Sequence, residues 1–160
     1  MSDTVRYIPR TRDLYAPLPP YRWADNRDQP VPWQPLTKPL ERCRVALGSS
    51  AGIYVEGQVP FGLKDDTSVR IVPSHVATED LRVSHFGYPV RYAREDPNCV
   101  FPIDRLRALV RDGRIAGLAR SAVTFMGGIY SQRRVREELV PAVLDVLRRE
   151  RIDLFYIVPA

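Results

Sequence analysis

The sequence predicts an α/β fold, a three-layer sandwich around a mostly parallel sheet, preceded by an extended arm rich in proline and aromatic residues. Three observations carry this reading. From residue 41 onward, apolar runs of strand length alternate with amphipathic stretches of helix length, the pattern of βα units. The run Leu154 to Val158 is apolar at successive positions, as in a strand covered on both faces. Residues 1–40 hold 8 of the 15 prolines together with Trp23 and Trp33. Proline fixes φ and removes backbone donors, so that stretch cannot build a ladder of its own. The chain thus divides into an arm, 1–40, and an α/β domain, 41–160.

In the arm, Tyr7, Tyr15 and Tyr21 join the two tryptophans. A disordered tail rarely carries so many rings. They are expected to plug into grooves, on this domain or on another subunit, and to favour association. Polyproline ligands look similar, but no PxxP stretch here is repetitive. Arg42 to Leu47 alternates charged and apolar side chains and runs into Gly48-Ser49-Ser50-Ala51-Gly52, which reads as a strand followed by a small-residue loop. Val69 to Val72 is a short strand ahead of Pro73, and Ala77 to Leu81 a helical turn. Pro102 to Asp112 is a helix: Pro102 suits its first position, Ile103, Leu106, Leu109 and Val110 form one stripe, and Gly113 suits the C-terminal cap. Ala122 to Phe125 is a strand ended by Gly127-Gly128. Ser131 caps a helix carrying Val135, Leu139, Val143, Val146 and Leu147 on one face, which Pro141 kinks or divides.

The 160 residues and 18.3 kDa suffice for one buried core without disulfides or metals. No apolar run approaches the roughly 18 residues of a membrane span, and the N-terminus has no secretory leader pattern, so a cytoplasmic protein is expected. Cys43 and Cys99 lie far apart, without a CxxC or a nearby His, which gives zinc, iron–sulfur and disulfide readings no support. The formal net charge is +5, and 22 of the 24 basic residues are Arg. They are spread along the chain among acids, without interleaved stacking aromatics. This favours a solvated surface over nucleic-acid binding.

Several segments are candidates for chemistry. The loop Gly48, Ser49, Ser50, Ala51, Gly52 serves either as an anion cradle of backbone N–H groups or as a plain turn. It fits no nucleotide motif. In a parallel sheet it would lie at the carboxyl ends of the strands, where open α/β sheets bind ligands. Lys64-Asp65-Asp66 reads mainly as turn and cap chemistry, with an acid–base pair or hard-cation site as the competing reading. The two histidines are His75 and His85. His85, in Ser84-His85-Phe86-Gly87-Tyr88, is the candidate for proton transfer, against a structural histidine as the alternative. No GxSxG elbow supports a Ser/His/Asp triad. Cys99 has no adjacent base to make it a nucleophile.

A resemblance is carried by Ile53-Tyr54, Gln58-Val59-Pro60-Phe61, Asp65-Asp66-Thr67-Ser68 with Arg70, Asp80 to Phe86, Asp96 to Leu106 and Thr124 to Gly127. Together these resemble the glycine/sarcosine/betaine/D-proline reductase component B family (selenoprotein B family). Tyr21-Arg22-Trp23 and Pro32-Trp33 resemble its less-studied homologues. The resemblance implies an α/β reductase subunit of a heteromeric complex, acting with a selenocysteine or cysteine near a second cysteine. That motif lies beyond a strand like Leu154 to Val158, so the redox group is expected from outside these residues. On this reading the chain supplies a pocket for a small amine or amino-acid-like substrate whose C–N bond is reductively cleaved. Gly48, Ser49, Ser50, Gly52, Tyr54, Arg70 and Arg105 would bind substrate, and His85 would move a proton. No cofactor, metal, nucleic acid or membrane is called for. The partner is a second protein chain or another copy of this one. The alternative is a non-catalytic assembly subunit that binds its partner through the arm. On either reading, the strand 154–158 is expected to need a covering element from outside the 160 residues.

Overall fold

A computed structural model describes residues 28–160, with Pro9 and Asp13 ahead of them. The chain divides into two units, Met1–Pro35 and Leu36–Ala160. In the first, residues 28–35 form neither helix nor strand and are exposed, Val31 at 82% and Trp33 at 79%. The expected packing of Tyr7, Tyr15, Tyr21 and Trp23 lies outside the described residues.

The second unit is built on a sheet with β1 (Arg44–Ser49) at its centre. On one side of β1 lie β5 (Gly117–Leu118) and β6 (Ser121–Thr124), both parallel to it. Arg44 pairs with Gly117 and Gly48 with Val123, so β5 and β6 are two stretches of one strand, interrupted by two extra residues. On the other side lies β7 (Leu154–Val158), parallel and in register over all five residues, from Val45↔Leu154 to Ser49↔Val158. Beyond β6, β3 (Arg70–Pro73) runs antiparallel. A separate antiparallel ribbon pairs β2 (Ile53–Val55) with β4 (Leu81–Val83).

Helices cover both faces. On one, Leu47, Val72 and Ala122 pack with the ribbon and with α1 (Arg91–Glu95) and α2 (Ile103–Arg111), around the fully buried Phe101. On the other, Val123 and Phe155 meet Leu139, Val143 and Leu147 of the long helix α3, residues 132–150. The expected three-layer α/β architecture with a largely parallel sheet is the one observed. Among the described residues, no helix is long and apolar enough to cross a membrane.

Four local readings change. First, β1 runs on through Ser49, so Gly48 and Ser49 belong to the strand rather than to a loop. Gly48 is required there by packing: a Cβ would lie 2.3 Å from the Phe155 ring. Second, Pro102 caps α2 instead of opening it, with ψ at 52° outside the helical range. Third, Pro141 does not divide the last helix. The turns before it widen into a π-helical stretch, Val135–Leu139, closed by Val140 N–H on the Val135 carbonyl. This lets the helix pass a residue that has no N–H to donate. Fourth, β7 is an edge strand, and Tyr156 and Ile157, on its opposite faces, are 46% and 47% exposed. The expected cover on both faces is not supplied by the described residues.

Asp65 and Asp66 carry turn and cap chemistry. Asp66 accepts from Gly62 N–H at 2.7 Å and from Ser68 N–H at 2.9 Å. Burial opposes its ionisation, yet the bonds from Ser68 and Gly62, with Arg70 nearby, hold its carboxyl below the ordinary value. Asp65 has a left-handed φ of 47° and accepts from Tyr130 N–H at 2.7 Å and Ser131 N–H at 3.2 Å, just ahead of α3. Replacing Asp65 by Ala is expected to cost about 1–2 kcal/mol in urea unfolding, from the lost cap and the left-handed φ. Asp65→Asn, which keeps the acceptor and tolerates that φ, is expected to cost under about half as much.

Candidate functional site

Because β1, β6 and β7 are parallel, their carboxyl ends emerge on one crest of the sheet. Four segments meet there. Ser50 N–H donates to the Val158 carbonyl at 3.1 Å, and Gly52 N–H to the Phe125 carbonyl at 3.0 Å. Ser84 N–H donates to the Gly52 carbonyl at 3.0 Å, and Ala51 bridges to Met126. Ser50 Oγ takes the Ala160 N–H at 2.9 Å and donates to the Ala160 carbonyl at 3.4 Å. Gly127 is glycine because a Cβ would stand 2.8 Å from that same carbonyl and 3.1 Å from the Ser50 carbonyl. Thr124, wholly buried, donates its hydroxyl to the Ile53 carbonyl at 2.5 Å and so ties β6 to the ribbon.

This lacing corrects the expected anion cradle. Ala51 N–H is bound by Ser49 Oγ at 3.2 Å, so the N–H groups of Ser50, Ala51 and Gly52 are all spent within the protein. Ser49 Oγ also donates to the Val100 carbonyl at 2.8 Å. The small residues of Gly48–Gly52 let chain segments approach one another.

His85 stands at this crest, with its Cβ 3.7 Å from where a Cβ on Gly52 would be. Gly87 N–H donates to His85 Nδ1 at 2.8 Å, a local i to i+2 bond. Nδ1 is therefore the unprotonated nitrogen, and the neutral ring carries its proton on Nε2. Nε2 is buried and has no hydrogen-bond partner among the described residues. Phe86 stacks on the imidazole at 5.6 Å between centroids, and Tyr88 tilts against it at 4.7 Å. Burial lowers the imidazole's pKa below its ordinary 6.5. The Tyr88 hydroxyl donates to the Ala51 carbonyl at 3.0 Å and, chiefly through burial, is pushed up to about 12.

The other candidate residues are dispersed. Tyr54 lies in β2, in the lining of a separate cavity beside the ribbon. Arg70 pairs with Thr124 across the β3–β6 ladder, but its guanidinium is committed. It donates to the carbonyls of Val59 at 2.7 Å, Val69 at 3.1 Å and Pro60 at 3.3 Å and to Ser68 Oγ at 2.7 Å, lying 4.3 Å over the Phe61 ring. A two-toothed grip on a substrate carboxylate would have to break at least one of these bonds, so the expected clamp is a loop brace. Arg105 is exposed on α2, where its charge joins Asn98 and Arg107 in holding the Asp104 carboxyl low. His75 is exposed. Partial desolvation and the Asp96 charge push the Cys99 thiol up, away from the nucleophilic thiolate. Among the described residues, no three His, Cys, Asp or Glu side chains are placed to hold a metal.

Sequence reasoning missed the roles of Thr124 and Tyr88. Both act through carbonyls distant in sequence, for which no local pattern exists. Gly127-Gly128 read as a strand terminator, whereas both glycines admit close neighbours: Ala160 at Gly127, and the Phe86 ring, 2.2 Å from an added Cβ, at Gly128.

Comparison with known proteins agrees with the resemblance. The family model for glycine/sarcosine/betaine reductase selenoprotein B matches residues 25–155. D-proline reductase subunit gamma of Acetoanaerobium sticklandii is 35% identical over 153 residues, 96% of this chain and 60% of that protein. Sarcosine reductase complex component B subunit beta of Peptoclostridium acidaminophilum is 30% identical over 106 residues, 61% of this chain and 23% of that protein. Glycine reductase complex component B subunit gamma of Carboxydothermus hydrogenoformans is 29% identical over 94 residues, 55% of this chain and 21% of that protein. The chain thus spans 60% of the length of the first of these relatives and under a quarter of the other two. No solved structure matches it. With a family model covering most of the sequence, including the crest segments from β1 to β6, the chain belongs to the glycine/sarcosine/betaine reductase selenoprotein B family.

Proposed function

We propose that this chain is a subunit of a multi-component reductase in which the crest around His85 forms one wall of the substrate site. The observation that carries this reading is the His85 Nε2–H, buried at the carboxyl end of the sheet and without a partner among the described residues. A buried donor left unpaired costs about 1–3 kcal/mol, and an acceptor on a bound molecule would offset that cost. The substrate is a small amine or amino-acid-like compound. In the reaction its C–N bond breaks, C–H and N–H bonds form, and two thiols (or a thiol and a selenol) are oxidised to the dichalcogenide. The thiol or selenol comes from outside these 160 residues, brought to the crest where Ser50 and Gly127 hold Ala160. His85, with its proton on Nε2 and Nδ1 already accepting from Gly87, acts as a neutral hydrogen-bond donor.

The exposed Tyr156 and Ile157 support a covering element supplied by a partner chain. A second reading, a non-catalytic assembly subunit gripping its partner through the arm, is favoured by one observation, the exposure of Val31 and Trp33. The test is to co-express the chain with the proteins encoded beside it, purify the complex, and measure amine release from a panel of amino acids and N-alkylamines with a dithiol donor. Turnover by the complex that is lost when this chain is omitted supports the reductase subunit. A stoichiometric complex whose turnover does not depend on this chain supports the assembly subunit.

A further inference from the structure

We infer that the cavity beside the β2–β4 ribbon and α1 is a binding site for a small aliphatic carboxylate. The cavity has a volume of about 240 Å³, and its lining includes Ile53, Leu81, Val83 and Ala93, all buried. Tyr54, Arg82, Arg94 and Pro97 complete the lining. A lining of apolar residues together with two arginines suits a short hydrocarbon body with one anionic end. The size suits a ligand of a few heavy atoms, below the range of drug-sized pockets.

The two arginines are not equivalent. Arg82 is tethered: its Nη1 donates to the carbonyls of Glu79 at 2.6 Å and Leu81 at 2.9 Å, and its Nη2 pairs with Glu56 at 2.9 Å. Its charge is thereby partly answered. Arg94 makes no side-chain hydrogen bond or ion pair among the described residues, and a guanidinium's planar fork can take a carboxylate through two parallel bonds. Tyr54 belongs to the same lining. A phosphate would find a largely apolar lining, and two guanidinium groups repel an amine. A carboxylate with a three- to five-carbon body satisfies both parts of the lining. Ile53 and Val83 directly follow Gly52 and precede Ser84, so the cavity adjoins the crest. Its lining shares no residue with the crest, and the inference does not rest on the function proposed above.

The test is a titration of the purified chain with 3-methylbutanoate, followed by backbone amide shifts, against its neutral isostere 3-methylbutanamide. The expected result is saturable binding that perturbs amides of residues 53–55, 81–83 and 93–94, with the amide ligand weaker by about tenfold or more. Arg94→Lys, which keeps the charge and loses the fork, is expected to weaken the acid about tenfold with little effect on the amide. His85→Phe is expected to leave both unchanged, which separates this site from the crest. Equal binding of acid and amide, no saturation at millimolar acid, perturbation confined to the crest, or an Arg94→Lys variant that binds as before would each overturn the inference.

Discussion

Replacing Gly52 by Ala is expected to cost roughly 3–5 kcal/mol of stability, as much as a large core truncation. Two effects add. Gly52 has φ +68°, where a side chain adds about 1–2 kcal/mol of strain. An added Cβ would also stand 2.0 Å from the Ser84 carbonyl oxygen, inside any contact a real Cβ makes. That oxygen is backbone and cannot rotate aside, so the segments must part. Parting strains the two bonds that lace the crest here, Ser84 N–H to the Gly52 carbonyl and Gly52 N–H to the Phe125 carbonyl, both 3.0 Å. For a domain of this size the melting temperature should fall by roughly 10 °C or more. Gly57 supplies the control: its φ is +88°, but nothing lies within 4 Å of an added Cβ. Gly57→Ala should therefore show only the conformational part, about 1 kcal/mol. Similar losses for the two variants would refute the overlap at the crest.

What the sequence disclosed and what it hid follow from the range of the forces involved. The helix at Ile103–Arg111 was legible because its stripe and its Gly113 stop are local. The strands β1, β3, β6 and β7 were legible as apolar runs. The ribbon strands β2 and β4 were not, since three residues are too few for periodicity and their pairing joins segments about 28 residues apart. Helix α1 was missed because it buries only Ala93 and so has no stripe.

At the site, the same distinction holds. Small residues at Gly48–Gly52 signal close approach, but local sequence does not say whether a ligand or another strand approaches. Here Phe155, Val158 and Ser84 do. Arg70 looked like a substrate clamp because its acceptors, the carbonyls of Val59 and Pro60, leave no mark in side-chain identity. The bond that sets the His85 tautomer, from Gly87 two residues away, is by contrast local in sequence. The edge position of β7 was hidden for another reason: an apolar run reports a need for cover, not the presence of it. Tyr156 and Ile157 show the need unmet by the described residues.

Replacing His85 by Phe keeps the aromatic packing against Phe86 and Tyr88 and removes only the nitrogens. In the assembled reductase, the loss of one donor to a charged or developing anionic group is expected to lower kcat/KM by roughly 10- to 150-fold, about 1.5–3 kcal/mol. His85→Gln, which can still present an N–H, should recover part of that loss. A ring with only a structural role predicts the opposite order, with Phe the milder change. A second readout comes from pH. The folded-state pKa of His85 lies below its unfolded value of 6.5, because burial penalises the imidazolium and Gly87 N–H faces Nδ1. Below about pH 6.5 the unfolded chain binds this proton more readily than the folded one, so stability contributed by neutral His85 is present above that pH and lost as pH falls. The carboxylates held low in the fold, Asp66, Asp104, Asp153 and Glu138, lose their own stabilising contribution only near and below their ordinary 3.8 to 4.5. The slope between about pH 6.5 and 5 thus isolates the histidine, and His85→Phe should flatten it in urea unfolding. Should the wild-type slope persist in the Phe variant, with turnover unchanged, His85 would be neither the buried neutral imidazole nor the donor assigned to it.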